Sequence, residues 1–128
     1  MPRSEVIRIL GESKYHKSAE TKYGIEFQEK DFYYDNSFQI LYNKNSIVEF
    51  VEAGKNEEIV YEIFGKNIFE LSWKDLIRLL EEKSEETIKK YEEITNPVFL
   101  KLDIGLYRED NSSRYADSIG IGIKGYFK

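Results

Sequence analysis

Apolar residues recur at helical spacing at the start of the chain, with Val6, Ile9 and Leu10 on one stripe, Pro2 tolerable in a first turn and Gly11 as a stop. Residues 2–11 are therefore predicted to form a short helix. Residues 12–23 are polar and irregular. Gly24-Ile25-Glu26-Phe27 and Asp31-Phe32-Tyr33-Tyr34 then predict short strands flanking a turn at Gln28-Glu29-Lys30. Phe38–Tyr42 and Ser46–Glu52, separated by Asn43-Lys44-Asn45, have the alternation and turn chemistry of a β-hairpin. Ile59–Phe64 adds a strand, with Gly65-Lys66-Asn67 as a tight turn into Ile68-Phe69.

A second helix is predicted from Ser72, an N-cap residue with Asp75 three positions on, through the stripe Leu76, Leu79 and Leu80. Residues 85–94 read as a further short helix or as a surface loop with helical tendency, with Ile88 and Tyr91 turned inward. After Pro97 a β run covers Val98–Leu102 and continues through Ile104–Tyr107; Arg108–Asp117 is a loop by composition, and Ser118–Ile123 alternates strictly as a last strand.

The two helical segments match position by position. Residues 1–12 reappear as 71–82, pairing Val6 with Leu76, Ile7 with Ile77, Arg8 with Arg78, Ile9 with Leu79 and Leu10 with Leu80. The strand segments also correspond, Ile40-Leu41-Tyr42 with Gly105-Leu106-Tyr107, and Ile47–Val51 with the strand from Ile119. Such self-similarity predicts an α+β fold of tandem duplicated helix-plus-antiparallel-sheet units in two layers. The chain is expected to be a single domain, residues 1–128, made of half-repeats of about 1–66 and 67–128.

Composition narrows the chemistry. Of 128 residues 41% are hydrophobic and 34% charged, enough for both a core and a solvated surface. There is no cysteine and only one histidine, His16, so thiolate metal sites and cysteine nucleophiles are excluded and imidazole chemistry has one group to work with. The formal charge of −5 with dispersed basic residues argues against nucleic acid and suits a basic protein partner. Without a long apolar run at the N-terminus or elsewhere, no membrane contact is expected and the localisation reads as cytoplasmic.

Individual motifs add little catalytic signal. Gly120-Ile121-Gly122-Ile123-Lys124-Gly125 has the spacing of a dinucleotide loop, but only three residues follow it in place of the required helix. A glycine-alternating strand approached closely by another element is the better reading. Carboxylate pairs such as Asp31/Asp35 and Glu26/Glu29 read as solvated surface, and His16 would act as a base only if a serine and an acid converged on it. No cofactor, metal or catalytic residue is expected. The ten tyrosines are the one enrichment leaning toward an interface, with Tyr115 and Tyr126 expected to be the most exposed.

The opening Met1-Pro2-Arg3-Ser4-Glu5-Val6-Ile7-Arg8-Ile9-Leu10-Gly11-Glu12 resembles the helix signature of the beta-lactamase-inhibitor-protein-like fold, shared with small lipoproteins of the outer-membrane barrel-assembly machinery. The resemblance implies two tandem units forming one curved sheet. Pro2 stands where that signature carries a capping Ser or Thr, the strand and glycine that usually precede it are absent, and there is no lipid-anchor cysteine. Over nearly its whole length the chain also resembles a family of small bacterial proteins with no known chemistry, through Ile47–Glu52, Asn67–Leu71, Asp103–Arg108 and Ser118–Tyr126.

These observations lead to the expectation of a non-catalytic protein-binding module, an inhibitor or toxin-immunity type. In it Glu109, Asp110 and Asp117 would steer a basic partner, Tyr115 would anchor it, and Tyr126 would join the contact surface. The alternative is a small-molecule-binding or sensing domain with its ligand between the helices and the sheet. An enzyme working through carboxylates alone would need at least two acids gathered in one cleft.

Overall fold

Helix α1, Arg3–Leu10, starts where the spacing predicts and ends at Gly11, whose positive φ of 82° closes the turn. Pro2 gives it no side-chain cap. The start is held instead by sheet-like contacts: Pro2 bridges Ile47, the Arg3 amide donates to the Ser46 carbonyl, and the Val48 amide donates to the Met1 carbonyl. Helix α2, Trp73–Ser84, is longer and is capped by Ser72, whose side chain accepts from the Asp75 amide at 3.2 Å.

A computed structural model describes all 128 residues. Eleven strands accompany the helices: β1 (Tyr15–Lys17), β2 (Glu20–Lys22), β3 (Ile25–Phe27), β4 (Lys30–Tyr33), β5 (Phe38–Tyr42), β6 (Val48–Gly54), β7 (Glu62–Ile63), β8 (Lys66–Asn67), β9 (Val98–Phe99), β10 (Ile104–Tyr107) and β11 (Ser118–Gly122). Seven form one antiparallel sheet in the order β1-β4-β5-β6-β11-β10-β9. The pairs β2-β3 and β7-β8 are separate two-stranded hairpins.

Antiparallel partners share a face, so the register sorts the side chains. One row runs Phe38, Ala53, Ile119, Leu106 and a second Ile40, Val51, Ile121, Ile104, Phe99. Both helices cover this face. The core on α2 joins Trp73, Leu76, Ile77 and Leu80 to Ala53, Phe99, Ile104, Leu106 and Ile119. A smaller cluster joins Val6 of α1 to Tyr33, Ile40 and Tyr42. Each fully buried side chain of this size contributes roughly 1.5–3 kcal/mol, so the α2 half carries most of the stability.

The two helices bury different stripes from those expected. Of Val6, Ile9 and Leu10 only Val6 is buried; Ile9 is 55% and Leu10 38% exposed, because Gly11 ends α1 before its last turn can pack. In α2 the buried stripe is Trp73, Leu76, Ile77 and Leu80, with Leu79 at its margin.

What α1 lacks in apolar contact it makes up through a buried carboxylate. Asp31 on β4 is fully enclosed and accepts from Arg3 Nε at 2.9 Å and Nη2 at 3.0 Å, from Tyr42 Oη at 2.6 Å and from Ser13 Oγ at 2.7 Å. Burial pushes its carboxyl up, but the hydrogen bonds from Arg3, Tyr42 and Ser13 outweigh that and hold it below its usual range. Burial, and then the bond to Asp31, pushes the Tyr42 hydroxyl up, so it stays a donor.

The opposite face is shaped by missing side chains. Gly120 pairs with Glu52 and Gly105, and Gly122 pairs with Phe50. A Cβ at Gly120 would lie 2.3 Å from Phe50 Cζ, and one at Gly122 would lie 2.3 Å from Tyr126 Cβ. This is the close approach that the glycine alternation suggested. The C-terminal residues fold back over this face, with Tyr126 stacked on Phe50 at 4.6 Å and Phe127 edge-on to both.

Several local expectations are corrected. The segment 12–23 contains strands β1 and β2, and the turn before β3 is Tyr23-Gly24, both at positive φ as a two-residue hairpin turn of type I′ requires. Phe64-Gly65 does the same between β7 and β8. The run Val98–Tyr107 is broken into β9 and β10 by a tight turn that ends on Asp103 at φ 52°. Of the two readings of residues 85–94 the structure takes the loop: they form turns, with Ile88 and Tyr91 packed inward as expected.

Replacing Asp31 by Asn should cost about 2–4 kcal/mol, since it leaves the Arg3 charge without its partner. Because the folded carboxyl lies below its unfolded value, its contribution is complete above about pH 4 and disappears as the pH falls through the folded value. Urea midpoints across that range should show the gap between the two proteins closing in acid; a constant gap would mean that the ion pair contributes nothing. Gly122→Ala should cost about 1–3 kcal/mol by displacing Tyr126, read in the near-ultraviolet tyrosine signal and the thermal midpoint.

Candidate functional site

The connection from β10 to β11 is a polar segment over residues 108–117, and its own chemistry stiffens it. Arg108 is buried and donates to four main-chain carbonyls: Nε to Ile94 at 2.9 Å, Nη1 to Ser113 at 3.0 Å, and Nη2 to Glu92 at 2.7 Å and Tyr91 at 3.2 Å. Its guanidinium also lies 4.4 Å from the Trp73 ring centroid. Burial pulls its pKa down, while Asp110 opposes that pull. The carbonyl of Arg114 accepts from the Trp73 amide at 2.6 Å, which fixes the loop to the start of α2.

Within this loop the structure brings together four of the five residues named from sequence. Asp117 Oδ2 accepts from the Glu109 amide at 2.6 Å. Asp110 Oδ1 accepts from the Ser112 amide at 2.8 Å, and the Ser112 side chain above all holds its carboxyl below the usual range. Glu109, Asp110 and Asp117 are exposed, as is Tyr115 at 43%, with the Arg114 guanidinium 5.6 Å from its ring.

Tyr126 is elsewhere and is not the exposed residue expected. It is half-buried on Phe50 in the space left by Gly122. Strand β11 runs from the loop at Ser118 to Gly122, so about 13 Å of strand separates the two regions.

Tyr126 instead lines a cleft of about 680 Å³ between the β2-β3 hairpin and the sheet. Glu20, Glu26 and Phe27 come from the hairpin, Glu29 from the segment leading into β4, Tyr42, Asn43 and Lys44 from the end of β5 and its turn, and Glu49 from β6. Every residue of β2 and β3 is exposed, and Tyr23 at the tip is 95% exposed, so the hairpin stands out as an arm. The sequence indicates the strand at β3, but Glu20–Lys22 lies in the stretch 12–23 read as irregular, so the hairpin and its cleft are not foreseen; the Tyr23-Gly24 pair was the available signal.

His16 does meet an acid and a serine, but not in a catalytic order. His16 Nε2 lies 2.9 Å from Glu29 Oε2, while Ser46 Oγ donates to Glu29 Oε1 at 2.5 Å, so the carboxylate separates imidazole from hydroxyl. Burial raises the Glu29 carboxyl, but Ser46 and then His16 bring it below its usual range, the wrong direction for a general base or acid. The acids of the cleft meet the spatial condition set for carboxylate chemistry, yet no three metal-ligating side chains gather anywhere in the protein.

No family model matches the chain, and no curated protein or solved structure shows detectable similarity to it.

Arg108→Lys should cost about 2–4 kcal/mol, because a lysine lacks the fork that satisfies four carbonyls. Limited proteolysis should then cut within 108–117 at protease levels the parent resists. Glu109→Gln should stay within about 0.5 kcal/mol of the parent in the same denaturation assay.

Proposed function

We propose that the chain is a non-catalytic protein-binding module of an inhibitor or toxin-immunity type, built from two tandem half-repeats of about 1–66 and 67–128 in a beta-lactamase-inhibitor-like arrangement. Each half contributes an antiparallel meander to the sheet, β4-β5-β6 with β1 added at its edge in the first and β9-β10-β11 in the second, and the last strands of the two meanders pair in the sheet centre. The segments that match in sequence fall on β5 and β10, and on β6 and β11. The shared order of helix and meander supports duplication, while the β5–β10 match sets buried Tyr42 against exposed Tyr107; the module reading rests on the loop.

The observation that carries it is the build of the loop 108–117. Arg108 spends its donors inward on backbone carbonyls, while Glu109, Asp110, Tyr115 and Asp117 face solvent on a segment already fixed in place. A pre-ordered acidic surface around one aromatic loses little entropy on binding, and the net charge of −5 favours encounter with a basic partner. The small-molecule reading draws on the 680 Å³ cleft, but that space lies under the arm and not between helices and sheet; a smaller gap of about 110 Å³ lies between the sheet and the β7-β8 segment, beside Tyr61.

Tagged protein used to capture partners from a lysate of the native host, at low and moderate salt, tests this reading. A basic protein retained by the parent should be lost at least about tenfold with Tyr115→Ala plus Asp110→Asn. Unchanged retention would overturn the assignment to the loop. No partner at either salt would favour the small-molecule reading.

A further inference from the structure

The geometry points to the cleft between the β2-β3 arm and the sheet as the seat of a lysine- or arginine-bearing segment of a protein partner. This rests on the reading of the chain as a module for a basic protein, and names a second contact region on it. The cleft carries Glu20, Glu26, Glu29 and Glu49 against one cation, Lys44. Their charge is largely unspent: Glu49 is held by the neutral Gln28 amide, Glu26 has no ion-pair partner, and Glu20 has only Lys17 at 3.8 Å. Glu29 is held by the Ser46 hydroxyl and by an imidazole that is charged only when protonated.

Aromatic walls complete the match to a cationic side chain. Phe27 and Tyr126 line the cleft, and ring faces attract ammonium and guanidinium groups. The protein already makes one such contact at the rim. Lys17 Nζ lies 5.2 Å from the Phe27 centroid and 3.8 Å from Glu20, the combination of ring and carboxylate that an incoming lysine would find further in. At about 680 Å³ the space lies within the ~300–1,000 Å³ range of clefts that hold ligands.

A peptide segment suits the site better than a free polyamine. Ile25 and Phe27 share one face of the arm, 57% and 41% exposed, and an all-polar cation would leave that strip bare. A segment alternating basic and apolar residues would pair the carboxylates and cover the strip together.

The test uses the full chain, isotopically labelled, titrated with the acetylated and amidated peptide Lys-Leu-Lys-Phe-Lys and, separately, with spermine. The peptide should shift the amides of residues 19–29, 42–49 and 126 with a saturable curve. Glu26→Gln plus Glu49→Gln, which keeps side-chain shape, should weaken it about fivefold or more, and Glu82→Gln on the exposed side of α2 should leave it unchanged. Equal saturation by spermine, shifts spread equally over the 108–117 loop, or no saturation up to about 5 mM would each overturn the proposal. In the lysate capture, a double Gln variant that retains the partner like the parent would remove the cleft and leave the module reading standing. Failure of the parent to capture any partner would remove both.

Discussion

The Phe50 ring has room only because position 120, two strand positions from its own partner, carries no side chain. A methyl group there would overlap the ring, so strands β6 and β11 can lie side by side with Phe50 on this face only as long as Gly120 stays glycine. Tyr126 then stacks on Phe50 over Gly122, and Phe127 closes the corner over Gly105. A small-residue track across the sheet thus turns a face that could have been open into a seat for the C-terminal segment, and Tyr126 becomes one wall of the acidic cleft.

The other face solves burial in two different ways. Helix α2 has three turns, a side-chain cap and a continuous apolar stripe, so hydrophobic packing suffices. Helix α1 has only eight residues and places one of them in the core. A short helix of this kind would be marginal alone, and the forked contact of Arg3 with the enclosed Asp31 supplies direction and register that apolar area cannot. The same carboxylate ties in Ser13 and Tyr42, so three segments converge on two oxygens.

What could be read from sequence followed the strength of the periodic signal. The hairpin of β5 and β6, the last strand and the start of both helices were legible, because alternation and capping residues act locally. Of the arm only β3 was legible, through the alternation Ile25-Glu26-Phe27; β2, Glu20-Thr21-Lys22, carries no apolar residue, so its pairing is marked only by Tyr23-Gly24. The break at Leu100–Asp103 was hidden because Lys101 and Asp103 alternate with apolar residues as in a continuous strand, and nothing in the sequence announces that Asp103 adopts a left-handed conformation. The loop 108–117 was legible as polar and acidic, but its rigidity depends on where Arg108 points, which only packing against Trp73 decides. Tyr126 was misjudged for a related reason. Its burial depends on glycines in a neighbouring strand, whose alternation was noticed without its tenant.

The central pairing also sets the order in which the molecule can assemble. Val51 and Ile121 are partners although seventy positions of chain separate them, whereas β4, β5 and β6 are joined by short turns. Local meanders close quickly, and a pairing over such a separation must wait on a large loss of loop entropy. Until β11 arrives, β6 is a seven-residue strand with a bare hydrogen-bonding edge, the longest in the sheet. Folding yield should therefore depend on concentration more than the stability of the finished sheet would suggest, because another chain's strand can occupy that edge before its own does.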